Sequence, residues 1–233
     1  MNATASQPDI RDQLLLRLAE SRAVTDDLFR IVGPDALYDR PIPERHRIIF
    51  YIGHLEAFDW NLIAGHALGL GTAHKEFDRL FAFGIDPVDG GLPQDTPSDW
   101  PRLSEISAYN SRVREELDDI LKSRSQASAS HWQYPQEVIL SAAIEHRLMH
   151  AETLAYMLHQ LSSNQKIIPH GYRTVGSHLS GLPIAARMID IPVGFATLGI
   201  SRGGDVFGWD NELEEHSVEV PAFAIDAHKV TNG

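Results

Sequence analysis

The chain has 233 residues, 43% of them hydrophobic and 22% charged, with a formal net charge of −12. That composition suits one large domain, or a domain plus part of another, with a buried core. The acidic balance argues against a nucleic-acid partner, because phosphate backbones need a Lys/Arg surface. Cysteine is absent, so disulfides, zinc–thiolate sites and a cysteine nucleophile drop out and the ligand chemistry is left to His, Asp and Glu. No apolar run is long enough to span a membrane. The N-terminal stretch lacks the basic-then-apolar layout of a signal peptide, so a cytoplasmic protein is expected.

Asp9 can cap a first helix over Ile10 to Val32, with Leu14, Leu18, Val24, Leu28 and Ile31 on its buried face. Pro41-Ile42-Pro43 links it to a second helix, Glu44 to Leu68. Ile48, Tyr51, Ile52, Leu55, Phe58, Leu62 and Ile63 form a broad apolar stripe there, and Gly53 and His54 lie inside it. The interior glycine predicts another helix in close approach, since Gly otherwise costs up to about 1 kcal/mol against Ala. From Gly69 to Pro101 the pattern breaks into a Gly/Pro/Asp-rich loop, in which Phe77, Leu80, Phe81 and Phe83 could form one short helical turn. A loop that long inside a compact domain is expected to be functional and anchored by its aromatics. A third helix, Leu103 to Ser123, buries Ile106, Tyr109, Val113, Leu117, Ile120 and Leu121. A fourth, Gln136 to Leu161, carries Ile139, Ala142, Ala143, Met149, Thr153, Leu154, Met157 and Leu158. Four amphipathic helices of this length make a helical bundle. After Ser162 the character changes. Ile189 to Val193, Phe195 to Ile200 and Ser217 to Pro221 read as strands. The domain reading is 1–165 bundle, 166–186 linker and 187–233 the opening of a β-containing unit.

His146 and His150 stand four apart on the fourth helix, so their imidazoles share a face and can point at one spot. His54, on the apolar side of the second helix, is the candidate third ligand. Three neutral imidazoles around one ion leave open positions, the catalytic pattern for zinc or non-haem iron alike. A hydrogen-bonded core of histidines is the plain alternative. His66 and His159 point elsewhere on their helices, and His131, His170 and His178 fall in loops, so surface roles are expected for them. Glu56 and Glu152 each follow a ligand histidine by two positions, an offset that turns them away from the metal. Each is expected to be solvated or to support the ligands from behind.

Gly53-His54 paired with His146-x-x-x-His150-x-Glu152 resembles the DinB-like bundle of the ergothioneine-type sulfoxide synthases. Phe207-Gly208-Trp209-Asp210-Asn211-Glu212, His216, Val218-Glu219-Val220-Pro221-Ala222-Phe223 and Val230-Thr231-Asn232-Gly233 resemble the start of a formylglycine-generating-enzyme-like domain, a C-type-lectin-like α+β fold. The resemblance implies a mainly α chain, a DinB-like four-helix bundle followed by a truncated α+β segment. It implies Fe(2+) on His54, His146 and His150, with Glu152 in support. It further implies an oxygen-dependent reaction that joins the sulfur (or selenium) of a thiol (or selenol) to a histidine derivative.

Two departures from that family shape the expectation. The family's second domain is much longer and carries the catalytic tyrosine and most contacts to the histidine-derived substrate, so this chain reads as a fragment with metal binding and an incomplete active site. Its strands after about Arg187 are then expected to pack loosely or to be completed by another chain. Family members that use γ-glutamylcysteine place arginines in the loop after the second helix. Here that loop holds Asp86, Asp89, Asp95 and Asp99, and Arg79 is its only arginine, so the thiol partner is expected to differ. Two other classes stay open: a DinB-like thiol transferase or hydrolase using zinc or nickel, and a non-enzymatic helical bundle.

Overall fold

The computed structural model describes residues 9–82, 94–123, 132–168, 187–203 and 207–229. Two compact units emerge, Met1–His170 and Gly171–Gly233. The first is the helical bundle: α1 (Ile10–Arg30), α2 (Ile48–Asp59), the short α3 (Lys75–Leu80), α4 (Leu103–Ser123) and α5 (Gln136–Gln160). Helix α1 packs along α5, and α2 packs against α4 and α5. The Asp9 carboxylate caps α1 by accepting from the Arg11 N–H at 3.3 Å.

Helix α2 is buried nearly all round, and it starts with its apolar stripe at Ile48, four residues later than the Glu44 boundary expected. The preceding turn is pinned extended: the N–H groups of Ile48 and Ile49 donate to Asp39 and Leu37 carbonyls, and the Arg47 guanidinium donates to the Tyr38 carbonyl at 2.7 Å. Beyond Asp59 the helix continues as wider π-helical turns, Trp60–Ala67. In α1, Val24 is exposed while Ser21 and Thr25 are buried. Their hydroxyls donate to carbonyls of their own helix, which satisfies them without a partner and lets small polar side chains replace a Val at a tight contact. In α5, Met149 is half exposed, and Arg147, fully buried, holds the core position instead.

The loop after α2 is anchored as expected at its described ends. Phe81 is fully buried, while Phe83 and the Gly/Pro-rich stretch to Pro93 lie outside the described residues. Beyond them Asp95 ties the chain down, accepting from Arg47 Nε at 2.9 Å and Trp100 Nε1 at 2.8 Å and pairing with Arg40. Burial pushes the Asp95 carboxyl upward, but the Trp100 bond and the two guanidiniums outweigh it and hold the group below its ordinary range.

In the second unit β1 (Met188–Ile191) pairs antiparallel with β4 (Phe223–Asp226), and β2 (Gly194–Leu198) with β3 (His216–Val220). The register is common to both ladders, so they form one long ribbon interrupted where Pro192 and Pro221, which have no N–H to donate, face the gap. Strand β4 is an addition to the three read from the sequence. No described residue between 187 and 229 is buried. Phe195 is 79% exposed and Ile225 52%, the loose packing expected for this segment.

Candidate metal centre

Helices α2 and α5 bring His54, His146 and His150 together. The Nε2 of His54 lies 3.2 Å from the Nε2 of His146 and 3.2 Å from that of His150. Among the described residues no other set of three or more His, Asp or Glu ligand atoms converges this way. At a typical metal–imidazole bond of about 2.1 Å, two nitrogens 3.2 Å apart subtend about 100° at the ion, between a facial octahedral and a tetrahedral set. The donor spacing therefore fits a divalent metal held by three nitrogens.

The proton positions support that fit. The Nδ1 of His54 is 2.6 Å from the Phe81 carbonyl oxygen. A carbonyl only accepts, so His54 carries its proton on Nδ1 and turns the Nε2 lone pair toward its two neighbours. Burial, slightly relieved by the Phe81 carbonyl, lowers the His54 pKa to about 4. Burial, then the charge of His54, lowers His150 to about 3. Burial, then His150 and His54, pushes His146 below the range of ordinary imidazoles. Three imidazoles that resist protonation are ready ligands, and the buried Nδ1 atoms of His146 and His150 have no hydrogen-bond partner among the described residues.

Each ring is held by aromatic packing. Phe50 stacks on His54 at 4.7 Å, Phe58 on His146 at 3.4 Å, and Tyr51 lies 5.5 Å from His150. The close approach at Gly53 comes from a side chain of the loop rather than from another helix. A Cβ there would stand 2.5 Å from the Phe81 ring. Gly53 thus lets Phe81 lie against α2, and the same residue presents its carbonyl to His54. Helix α3, which leads into Phe81, is fixed in turn by the Tyr109 hydroxyl of α4, which donates to Asp78 at 2.8 Å.

Behind the histidines lies a buried ionic cluster that the sequence reading did not anticipate. Glu56 is only 1% exposed, which overturns the solvated one of the two roles expected of it. Its carboxylate accepts from Arg114 at 2.6 and 2.9 Å and from Arg147 at 3.0 and 3.1 Å. Asp59 accepts from Arg147 at 2.7 Å and lies 3.8 Å from Arg22, and Asp26 takes two further bonds from Arg114. Residues of α1, α2, α4 and α5 all meet here. Burial pushes Glu56 up, but Arg147 and Arg114 outweigh it and bring the carboxyl to about 2. For Asp59 burial wins, aided by the charge of Glu56, and its pKa is raised. The signal was present in the spacing: Leu140, Ile144, Arg147, Ala151 and Leu154 fall on one helical stripe, so Arg147 occupies a core position, one residue after His146. Glu152, by contrast, is exposed and has no hydrogen bond or ion pair among the described residues. His66 and His159 are exposed, while His131, His170 and His178 lie outside the described residues.

Comparison with known proteins agrees with the bundle. Over 222 residues, 87% of this chain, it is 30% identical to "Ergothioneine biosynthesis protein 1" of Neurospora crassa, of which it covers 24%. It is 25% identical to the protein of the same name from Schizosaccharomyces pombe, over 88% of the chain and 30% of that protein. The chain thus spans 24% and 30% of the length of these two relatives. Residues 17–158 match the DinB superfamily, and they include the three histidines and the ionic cluster; the chain belongs to that superfamily.

Proposed function

We propose that His54, His146 and His150 hold one iron(II), and that the chain is the metal-binding part of a sulfoxide synthase. The approach of the His146 and His150 Nε2 atoms to that of His54, each at 3.2 Å, carries this reading, and the name of the two fungal relatives supports the ergothioneine context. Iron, when bound, would supply the redox chemistry by which oxygen joins a thiol sulfur to an imidazole carbon. Both hydrogens and one oxygen atom leave as water, and the other oxygen stays on sulfur. A selenol would follow the same course. The protein's own part is to orient the ligands, through Phe81 on His54 and the aromatic stack, and to keep them unprotonated. The domain division proposed is 1–165 bundle, 166–186 linker and 187–233 the first strands of a formylglycine-generating-enzyme-like domain, with Glu152 a support residue in the assembled site. A cytoplasmic location is part of this proposal; among the described residues no helix is long and apolar enough to cross a membrane.

The test is anaerobic loading with iron(II) followed by metal analysis. One iron per chain is expected in the wild type, and none in a variant carrying His54→Ala, His146→Ala and His150→Ala. Stoichiometric iron in that variant refutes the assignment. An all-nitrogen ligand set serves zinc or nickel equally well, which makes a thiol transferase or hydrolase the second reading. Thiol transfer or hydrolysis by the zinc- or nickel-loaded chain, with no oxygen consumption when a thiol is added to the iron-loaded one, would select it.

A further inference from the structure

The three histidines are not oriented alike. His54 is fixed by the bond from its Nδ1 to the Phe81 carbonyl at 2.6 Å, the usual way in which a ligand imidazole is held from behind. His146 and His150 have no such acceptor on Nδ1 among the described residues. The stack on Phe58 sets the tilt of the His146 ring, but one ring can slide over the face of another. What places these two imidazoles is therefore the register of α5 on α2.

That register is held by one guanidinium. Arg147 follows His146 directly, so its side chain leaves α5 about 100° round the axis from that ligand. It is fully buried, and it donates to three residues of the helix that carries His54. The acceptors are the Leu55 carbonyl at 3.2 Å, the Glu56 carboxylate at 3.0 and 3.1 Å and the Asp59 carboxylate at 2.7 Å. Leu55 and Glu56 are the two residues after His54, and Glu56 and Asp59, three apart, share one side of α2. Both carboxylates are braced from the far side, Glu56 by Arg114 of α4 at 2.6 Å and Asp59 by Arg22 of α1 at 3.8 Å. Apolar packing is non-directional, and helices held by it alone can shift as their side chains repack. A planar fork that bonds three residues at once fixes both the height and the rotation of one helix on the other. Ligand atoms need placing to within about 0.5 Å, and this fork stands next to one ligand in sequence and clasps the two residues that follow another.

We propose that Arg147 is the positioning residue of the metal centre: its bonds to Leu55, Glu56 and Asp59 set the register of α5 on α2, and with it the spacing of the His54, His146 and His150 Nε2 atoms. This inference rests on the metal-centre reading above. The full chain is titrated with cobalt(II), whose visible absorption reports the number and angles of its ligands. Arg147→Met combined with Asp59→Asn removes one charge of each sign, leaves Glu56 paired with Arg114, and should stay folded, because a buried ion pair replaced as a pair is commonly tolerated. Its cobalt affinity should nevertheless fall about 10–100-fold, with a changed spectrum. Arg147→Lys keeps the charge but loses the fork and should fall in between. Leu121→Ala, at a buried position two turns beyond Arg114 on α4, opens a cavity and should lower the melting temperature while leaving the cobalt spectrum and affinity unchanged. A folded double variant with wild-type spectrum and affinity, or an equal change in Leu121→Ala, overturns the inference and leaves the metal centre standing. If the double variant does not fold, Arg147→Lys decides, and wild-type cobalt binding in it overturns the inference. Failure of cobalt to bind to the wild type overturns the metal-centre reading and this inference with it.

Discussion

Gly53 and Phe81 act as one unit. A side chain on Gly53 cannot coexist with the Phe81 ring at 2.5 Å, so Gly53→Ala should displace Phe81 and its carbonyl. We expect a loss of about 1–3 kcal/mol in urea denaturation, the usual cost of overpacking a full core. Metal affinity should fall about 10–100-fold as His54 loses its orienting acceptor. Adding Phe81→Ala removes the clashing ring and keeps the backbone carbonyl, so it should recover part of the affinity; no recovery would show that the ring, and not the carbonyl, positions His54. Glu56→Gln leaves Arg147 and Arg114 short of a counter-charge in the interior and should cost about 3–5 kcal/mol. A cost near zero in the same denaturation experiment would mean that the cluster is hydrated in solution. The histidine pair could be read from spacing, because i, i+4 geometry is local, and His54 was the candidate partner because it lies in the apolar stripe of the second helix. Glu56 and Arg147 could not be read so surely, since each looks like a surface residue until its counter-charge, some 91 positions away, is placed beside it.

At the scale of elements, the helices followed their apolar periodicity closely where one face is buried: α4 spans Leu103–Ser123, as the pattern required. The second helix begins at Ile48 and not at Glu44 because the polar residues just before its apolar stripe are tied down by long-range bonds, which no periodicity reveals. The tether at Asp95 is one of these, and it holds the loop to the start of α2. Its pKa is depressed in the folded state, so its contribution is complete above the ordinary carboxylate value and is lost as pH falls through the folded one. A Trp100 fluorescence change is therefore expected on acidification below about pH 4, and it should be present at neutral pH in Asp95→Asn. If the Asn variant matches the wild type at pH 7, the tether does not hold the loop.

For the molecule as a whole, the two units differ in kind. The bundle has a continuous core from Leu14 to Leu161, whereas the ribbon of β1–β4 has no buried residue among those described. Three of its four strands could be read from the sequence, but a strand pattern says which side would be covered and not whether anything covers it. Brief trypsin treatment should therefore cut at Arg187 or Arg202 before any site in α5. The melting transition of the remaining bundle should be unchanged, and a ribbon as resistant as α5 would contradict this picture.

The π-helical turns at Trp60–Ala67 give the central helix spare length. A π turn takes up one residue more than an α turn, so removing a single residue there can rewind the segment as α-helix with both flanks still in phase. The same deletion within Ile48–Asp59 would swing His54 by about 100° relative to the residues beyond it. Deleting Asn61 should consequently leave a folded protein that still binds metal, and deleting Ile52 should not. The helix that carries His54 is, in effect, tolerant to slippage on one side of the site and intolerant on the other.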